Sequence, residues 1–236
     1  MTISTSTKDQ LKDHKYPCHP KNLSLVGLSV RLDPLSIDTH SVELFKANQS
    51  EDNWKYLPYG PFATLESYQD WMRPYCSSDE TVFLAITRLS DNKAVGVASF
   101  LAIDIQNASI EVGHLNFSPL LQRSKEATEA MYLMMRWAFD NGYRRYAWRC
   151  NASNIPSRKA AQRLGLSFEG IFRQAGIVKG ENRDTAWFAA IDKEWPSLDR
   201  CFRSYLSKEN FDTTGKPIKS LSAMTSPLLY KIDESF

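Results

Sequence analysis

Strand-like and helix-like segments follow one another in the order β-α-α-β-β-β-α-β-α-β-β, which no simple repeat of strand and helix produces. Apolar and β-branched runs at 25–32, 81–88, 94–103, 109–117, 144–150, 167–172 and 184–191 read as strands. Helical periodicity falls at 38–47, 64–74, 125–141 and 155–164. In the second helix Leu65, Tyr68, Trp71 and Met72 form one stripe behind a Thr64 cap. In the third, Ala127, Ala130, Met131, Met134, Trp137 and Ala138 recur at core spacing, and Gly142 follows the end. The fourth has Asn154 as cap, Pro156 in its first turn and Gly165 as stop. The pattern predicts an α+β fold and excludes a strictly alternating doubly wound sheet. The phosphate-binding patterns G-x-G-x-x-G and G-x-x-x-x-G-K-S/T are both missing.

At 236 residues and 42% apolar composition the chain can bury one sizeable core, so a single domain over 23–210 is expected. The apolar stretch 195–206 would be its C-terminal helix, packed on the core or on a partner. The polar, aperiodic segments 1–22 and 211–236 read as flexible tails. Lys and Arg (29) nearly balance Asp and Glu (27), so the net charge of +2 points to neither nucleic acid nor a membrane surface. The scattered Cys18, Cys76, Cys150 and Cys201 match no zinc spacing and read as reduced thiols in a cytoplasmic protein. His14, Cys18 and His19 lack a fourth metal ligand, so no metal is expected. No Ser/His/Asp or Cys/His constellation suggests an acyl-enzyme.

A strand feeding a polar loop that opens a long helix, at 117–127, makes a natural anion site. The first-turn N–H groups have no intrahelical acceptor, and the helix dipole favours negative charge.

The hexapeptide Gln122-Arg123-Ser124-Lys125-Glu126-Ala127 resembles the acyl-CoA pyrophosphate loop of the GNAT N-acetyltransferase superfamily, Q/R-x-x-G-x-G/A, with Lys125 standing where that loop usually has Gly. Upstream, Ile110-Glu111-Val112-Gly113-His114 is similar to the E-I-G-Y strand of the ribosomal-protein-alanine acetyltransferase-like branch, with His114 for Tyr. Downstream, Asn154-Ile155-Pro156-Ser157 with Ala160-Ala161-Gln162-Arg163-Leu164-Gly165-Leu166 resembles its N-x-x-S…A-x-x-L-G-F helix. The runs 168–174 and 179–187 resemble its closing strands, and 54–62 resembles a segment of its relatives. The resemblance spans roughly residues 25 to 191 in matching order.

The resemblance implies the acyl-CoA N-acyltransferase fold, a twisted mixed sheet whose central strands splay near 115–117. Acetyl-CoA would be the co-substrate. Leu115 and Phe117 would meet the pantetheine arm through main chain, amides of Arg123, Ser124, Lys125, Glu126 and Ala127 would hold the pyrophosphate, and Asn154 would contact the arm. Glu111 would be the base for an acceptor amine, directly or through water. Its alternative is a carboxylate facing solvent or paired with an Arg. Many relatives carry a Tyr acid where this chain has Ala161, so Ser157 would instead donate a hydrogen bond to the leaving sulfur, with helix capping as its other role. Trp54, Tyr56 and Tyr59 would roof an acceptor pocket or pack in the core. His114 is expected on the sheet face opposite Val112, as a structural residue. Arg144, Arg145 and Arg149 read as a solvated edge or as phosphate neighbours.

Transfer of an acetyl group to an amine by direct attack in a ternary complex is therefore expected, the acceptor being a small molecule or a protein N-terminus. A module that binds acyl-CoA without turnover is the alternative.

Overall fold

The computed structural model describes Leu11 and residues 14–235. Strands β1 (Leu25–Val26) and β2 (Val30–Pro34) form a hairpin, followed by helices α1 (Ile37–Ala47) and α2 (Leu65–Met72). Three long strands come next: β3 (Val82–Arg88), β4 (Lys93–Asp104) and β5 (Ser109–Phe117). Helix α3 (Lys125–Asp140), β6 (Arg145–Asn151), α4 (Ile155–Arg163), β7 (Ser167–Val178), β8 (Glu181–Ile191), α5 (Trp195–Leu206) and the short α6 (Leu221–Thr225) complete the chain. The strands make one sheet in the order β1-β2-β3-β4-β5-β6-β8-β7, antiparallel except where β5 meets β6.

Each face of the sheet has its own core. One is built by α3, α4 and α5 against Ile110, Val112, Tyr146, Trp148 and Phe188. On α3, Met134, Met135 and Ala138 are fully buried. At roughly 1.5–3 kcal/mol for each large apolar side chain removed from water, such packing, rather than helix propensity, holds the element. The other face, over β3 and β4, is covered by α1, α2 and the segment between them through Leu44, Trp54, Tyr68 and Met72. Beyond β5, no helix covers this second face among the described residues.

The interface between β5 and β6 is short. Parallel pairing runs from Ser109↔Arg145 to Val112↔Trp148 and then stops, although β5 continues to Phe117 and β6 to Asn151. The expected splay of the central strands is present and begins just past Val112. On its other edge β5 carries a bulge: two residues, His114 and Leu115, oppose the single Ala98, and His114 takes a φ of 50°.

The expectation of a tail over 211–236 is corrected by the structure as far as residue 235. Leu221 and Thr225 are fully buried, Lys231 O accepts from Phe168 N on β7, and Asp233 is buried against Arg158. This segment has little periodicity because single side chains, rather than a continuous face, secure it. Part of the other expected tail is also seated, since Tyr143 Oη donates to Cys18 O and Pro17 and Pro20 are buried. Residues 1–10, 12 and 13 lie outside the described residues. No described helix is long and apolar enough to cross a membrane.

Candidate active site at the strand fork

The fork between β5 and β6 opens toward the N-terminus of α3. Ser124 caps that helix: its Oγ accepts from Ala127 N at 3.0 Å and donates to Leu121 O at 2.6 Å. The amides of Lys125 and Glu126, in the first turn, have no carbonyl to reach within the helix. Lys125 is the first helical residue, so its backbone needs no glycine. Its Nζ lies 4.3 Å over the Phe211 ring, turned onto the C-terminal segment. Arg123 takes the left-handed conformation instead, with φ 59°. Gln122 donates from Nε2 to Phe117 O (2.8 Å) and to Asn53 Oδ1 (3.0 Å), tying the loop both to the strand end and to the α1–α2 connection.

Glu111 sits on β5 at the base of the fork. It is 5% exposed, and its carboxylate receives Arg149 Nε from β6 at 2.5 Å. Burial pushes its pKa up, opposed by the Arg149 hydrogen bond and by the charges of Arg149, Arg183 and Arg145. Of the readings open for Glu111, pairing with an arginine is realised, and the residue is buried rather than solvent-facing.

Ser157 lies on the opposite lip, in the first turn of α4. Trp148 Nε1 donates to its Oγ at 3.0 Å, so the hydroxyl's own proton is directed away from the indole. Ser157 N is satisfied by Asn154 Oδ1 at 3.1 Å, so the capping role falls to Asn154. Burial raises the pKa of the neighbouring Cys150 thiol, opposed by a hydrogen bond from Ser157.

The bulge puts His114 on the α2 side, with Phe83 (ring centroids 5.0 Å) and Tyr59 (5.7 Å, nearly parallel). Tyr59 Oη and His114 Nδ1 are 3.0 Å apart. Burial, reinforced by the charges of Arg183 and Arg149, pushes the His114 pKa down to about 4, so the ring is neutral near pH 7. Burial raises that of Tyr59. By strict alternation His114 would share Val112's face; the extra residue is what reverses it. Leu115 and Phe117, past the bulge, pack toward the α3 side.

Three residues expected to roof a pocket separate here. Trp54 is 3% exposed, and its Nε1 donates to Asn48 O, so it belongs to the core behind the bay rather than to its lining. Gly60 permits this: a Cβ there would come within 2.5 Å of the Trp54 ring. Tyr59 faces His114. Tyr56 reaches across the fork, donating from Oη to Ser153 O at 3.1 Å. Lys179, at the β7–β8 turn, donates to Trp54 O and Gly60 O, both at 3.0 Å. The α1–α2 connection is thus fastened to both lips.

Sequence reasoning missed Arg183 and Trp187 on β8. Since Ala186, Phe188 and Ala190 face the α3–α5 core, the intervening Arg183, Thr185 and Trp187 share the uncovered face with Glu111 and Arg149. Arg149 stacks 4.9 Å over Trp187. Period-two reading of 182–190 could have found this row. Asn116 is also buried, with neither side-chain amide atom partnered among the described residues. Of the Arg144, Arg145 and Arg149 cluster, Arg145 is held by Glu169 in a two-pronged pair at 2.7 and 2.6 Å, and Arg149 alone reaches the site.

Comparison with known proteins agrees with this geometry. The family described as the acetyltransferase (GNAT) domain matches residues 29–167. A crystal structure of a GCN5-related N-acetyltransferase from Brucella melitensis is 40% identical, with a TM-score of 0.89 over 92% of this chain and 100% of that one. A probable GNAT-family acetyltransferase from Chromobacterium violaceum ATCC 12472 is 35% identical, with a TM-score of 0.77 over 83% of this chain and 99% of that one. An uncharacterized N-acetyltransferase of Bacillus subtilis strain 168, YnaD, is 27% identical over 60% of this chain and 81% of its own length. With its mixed eight-stranded sheet, forked central strands and matched family profile, the chain belongs to the GNAT N-acetyltransferase family.

Proposed function

We propose that the protein transfers an acetyl group from acetyl-CoA to an amine by direct attack within a ternary complex. The observation that carries this reading is the fork itself: β5 and β6 part after Val112 and Trp148, with buried Glu111 at its base and the Ser157 hydroxyl on its far lip. The family uses acetyl-CoA, and the residues present suit it. Lys125 folds away over Phe211, leaving the first turn of α3 open to a pyrophosphate, and unpaired strand edges line the gap a pantetheine arm would fill.

In this reading the amides of Arg123 to Ala127 hold the pyrophosphate, with Gln122 bracing the loop. Main-chain groups of Leu115 and Phe117, and the Asn154 side chain, meet the pantetheine arm. Amines are mostly protonated at pH 7, so attack requires loss of a proton. Glu111 takes it, directly or through a water. The Arg149 hydrogen bond and charge favour the ionised form of Glu111 against the effect of burial. Ser157, its oxygen already accepting from Trp148, donates its proton in a hydrogen bond to the departing sulfur. Tyr59 and Tyr56 border the acceptor, and Trp54 supports them from behind.

The test is thiol release from acetyl-CoA across amino acids, peptides with free N-termini, polyamines and amino sugars. Amine-dependent release without a burst in the absence of amine supports the proposal. Acetyl-CoA binding with no release from any amine would instead favour a binding module.

A further inference from the structure

Arg183 and Trp187 stand on the uncovered face of β8, Arg183 just beyond the end of β6. Both present buried donors without acceptors among the described residues: Arg183 Nε and Trp187 Nε1. Nor does Arg183 form an ion pair among those residues. The neighbouring charges are otherwise committed. Glu111 engages Arg149, Glu169 engages Arg145, and Lys179 is held by two carbonyls. Asp184, the acidic neighbour of Arg183, points its carboxylate at Gln174 N and Asn182 Nδ2. His114 adds no charge. Around the base of the fork there are therefore two guanidiniums, Arg149 and Arg183, for one carboxylate, and the unpartnered groups on β8 are donors only.

We propose that the acceptor is an amine that also bears an anionic group, a carboxylate or a phosphate, and that Arg183 holds this group while the amine faces Glu111. This rests on the acetyl-transfer reading for the amine but not for the anion site. The guanidinium fork suits a planar carboxylate or phosphate edge, and the Trp187 indole N–H supplies one further donor. The aromatic wall of Tyr59 and His114 would cover the part between the two polar ends.

The experiment compares matched pairs: L-amino acids against their C-terminal amides for the carboxylate arm, and glucosamine 6-phosphate against glucosamine for the phosphate arm. Thiol release gives kcat and KM. Titration calorimetry of N-acetyl-amino acids, their amides and the N-acetylated amino sugars into the CoA complex gives the same preference without turnover. The anionic member of one pair should be favoured, and Arg183→Gln should raise its KM or Kd by roughly 10- to 100-fold, a clearly larger change than in its neutral counterpart. A panel in which no anionic member exceeds its neutral counterpart in binding or turnover overturns the proposal, as does an Arg183→Gln variant that weakens both members equally. A preference in binding with no turnover of any amine would keep the anion site and remove the transferase reading.

Discussion

Arg158 and Asp233 meet in a buried ion pair, Nη2 to Oδ2 at 2.5 Å, immediately after Ser157 on α4. The same guanidinium donates to Ala152 O at 2.8 Å, so the C-terminal segment fixes both the first turn of α4 and the residues leading into it. Asp233→Ala removes the carboxylate that faces this buried guanidinium, at an expected cost of about 3–5 kcal/mol. Chemical denaturation would show this. Combining Asp233→Leu with Arg158→Met should recover much of the loss, because neither charge then remains buried. Equal destabilisation by the single and double variants would speak against a buried pair.

Glu111→Gln should lower kcat/KM by about 10²- to 10⁴-fold, the range for loss of a general base. In the parent protein the acid limb of the pH–rate profile should fall above the ordinary glutamate value of about 4.3, because burial raises this carboxyl. Arg149 opposes that rise, so Arg149→Met should move the limb to still higher pH. A limb that stays in place in both variants would remove Glu111 from the proton path.

Ser157→Ala should reduce kcat and kcat/KM together by roughly 10- to 100-fold if the hydroxyl binds sulfur only as it departs. It also strands the buried Trp148 indole N–H, so a loss of about 1–3 kcal/mol in stability is expected alongside. Ser157→Thr, which keeps the hydroxyl, separates the two effects. Recovery of stability without recovery of rate in that variant would count against sulfur contact.

His114 makes stability fall in acid. Its folded pKa of about 4 lies below the unfolded value near 6.5, so the unfolded chain binds the extra proton first. The contribution is complete above pH 6.5 and declines as pH drops toward 4, by at most about 3 kcal/mol and less for the part that solvent screens. His114→Gln should flatten the melting temperature over that window relative to the parent. An identical slope in both proteins would assign the acid sensitivity elsewhere.

Much of this architecture was legible because it is local. The α3 stripe and its Gly142 stop predict 125–141, and the helix ends at Asp140. The run 25–32 reads as one strand, yet it turns at Gly27, because Glu129 on α3 accepts from Leu28 N and Ser29 N at 2.6 and 2.8 Å. That partner is a hundred residues away in sequence, beyond the reach of periodicity. The same reason hid the docking of 211–235, the Lys125–Phe211 contact and Arg183. Glu111, Ser157 and Asn154 could be named in advance, since their motifs are contiguous. The partners Arg149 and Trp148 required the fold, whereas the Ser157 amide follows from Asn154 as the cap.

The extra residue in β5 makes the chemistry at the fork depend on a count. Removing Leu115 would leave His114 alone opposite Ala98 and restore strict alternation, turning its ring toward α3. The wall beside Tyr59 and Phe83 would lose its hydrogen-bonding ring, although no other side chain lining it had changed. Strand length at this point therefore sets which side chain faces the α2 side, and related folds could retune it by a single insertion or deletion.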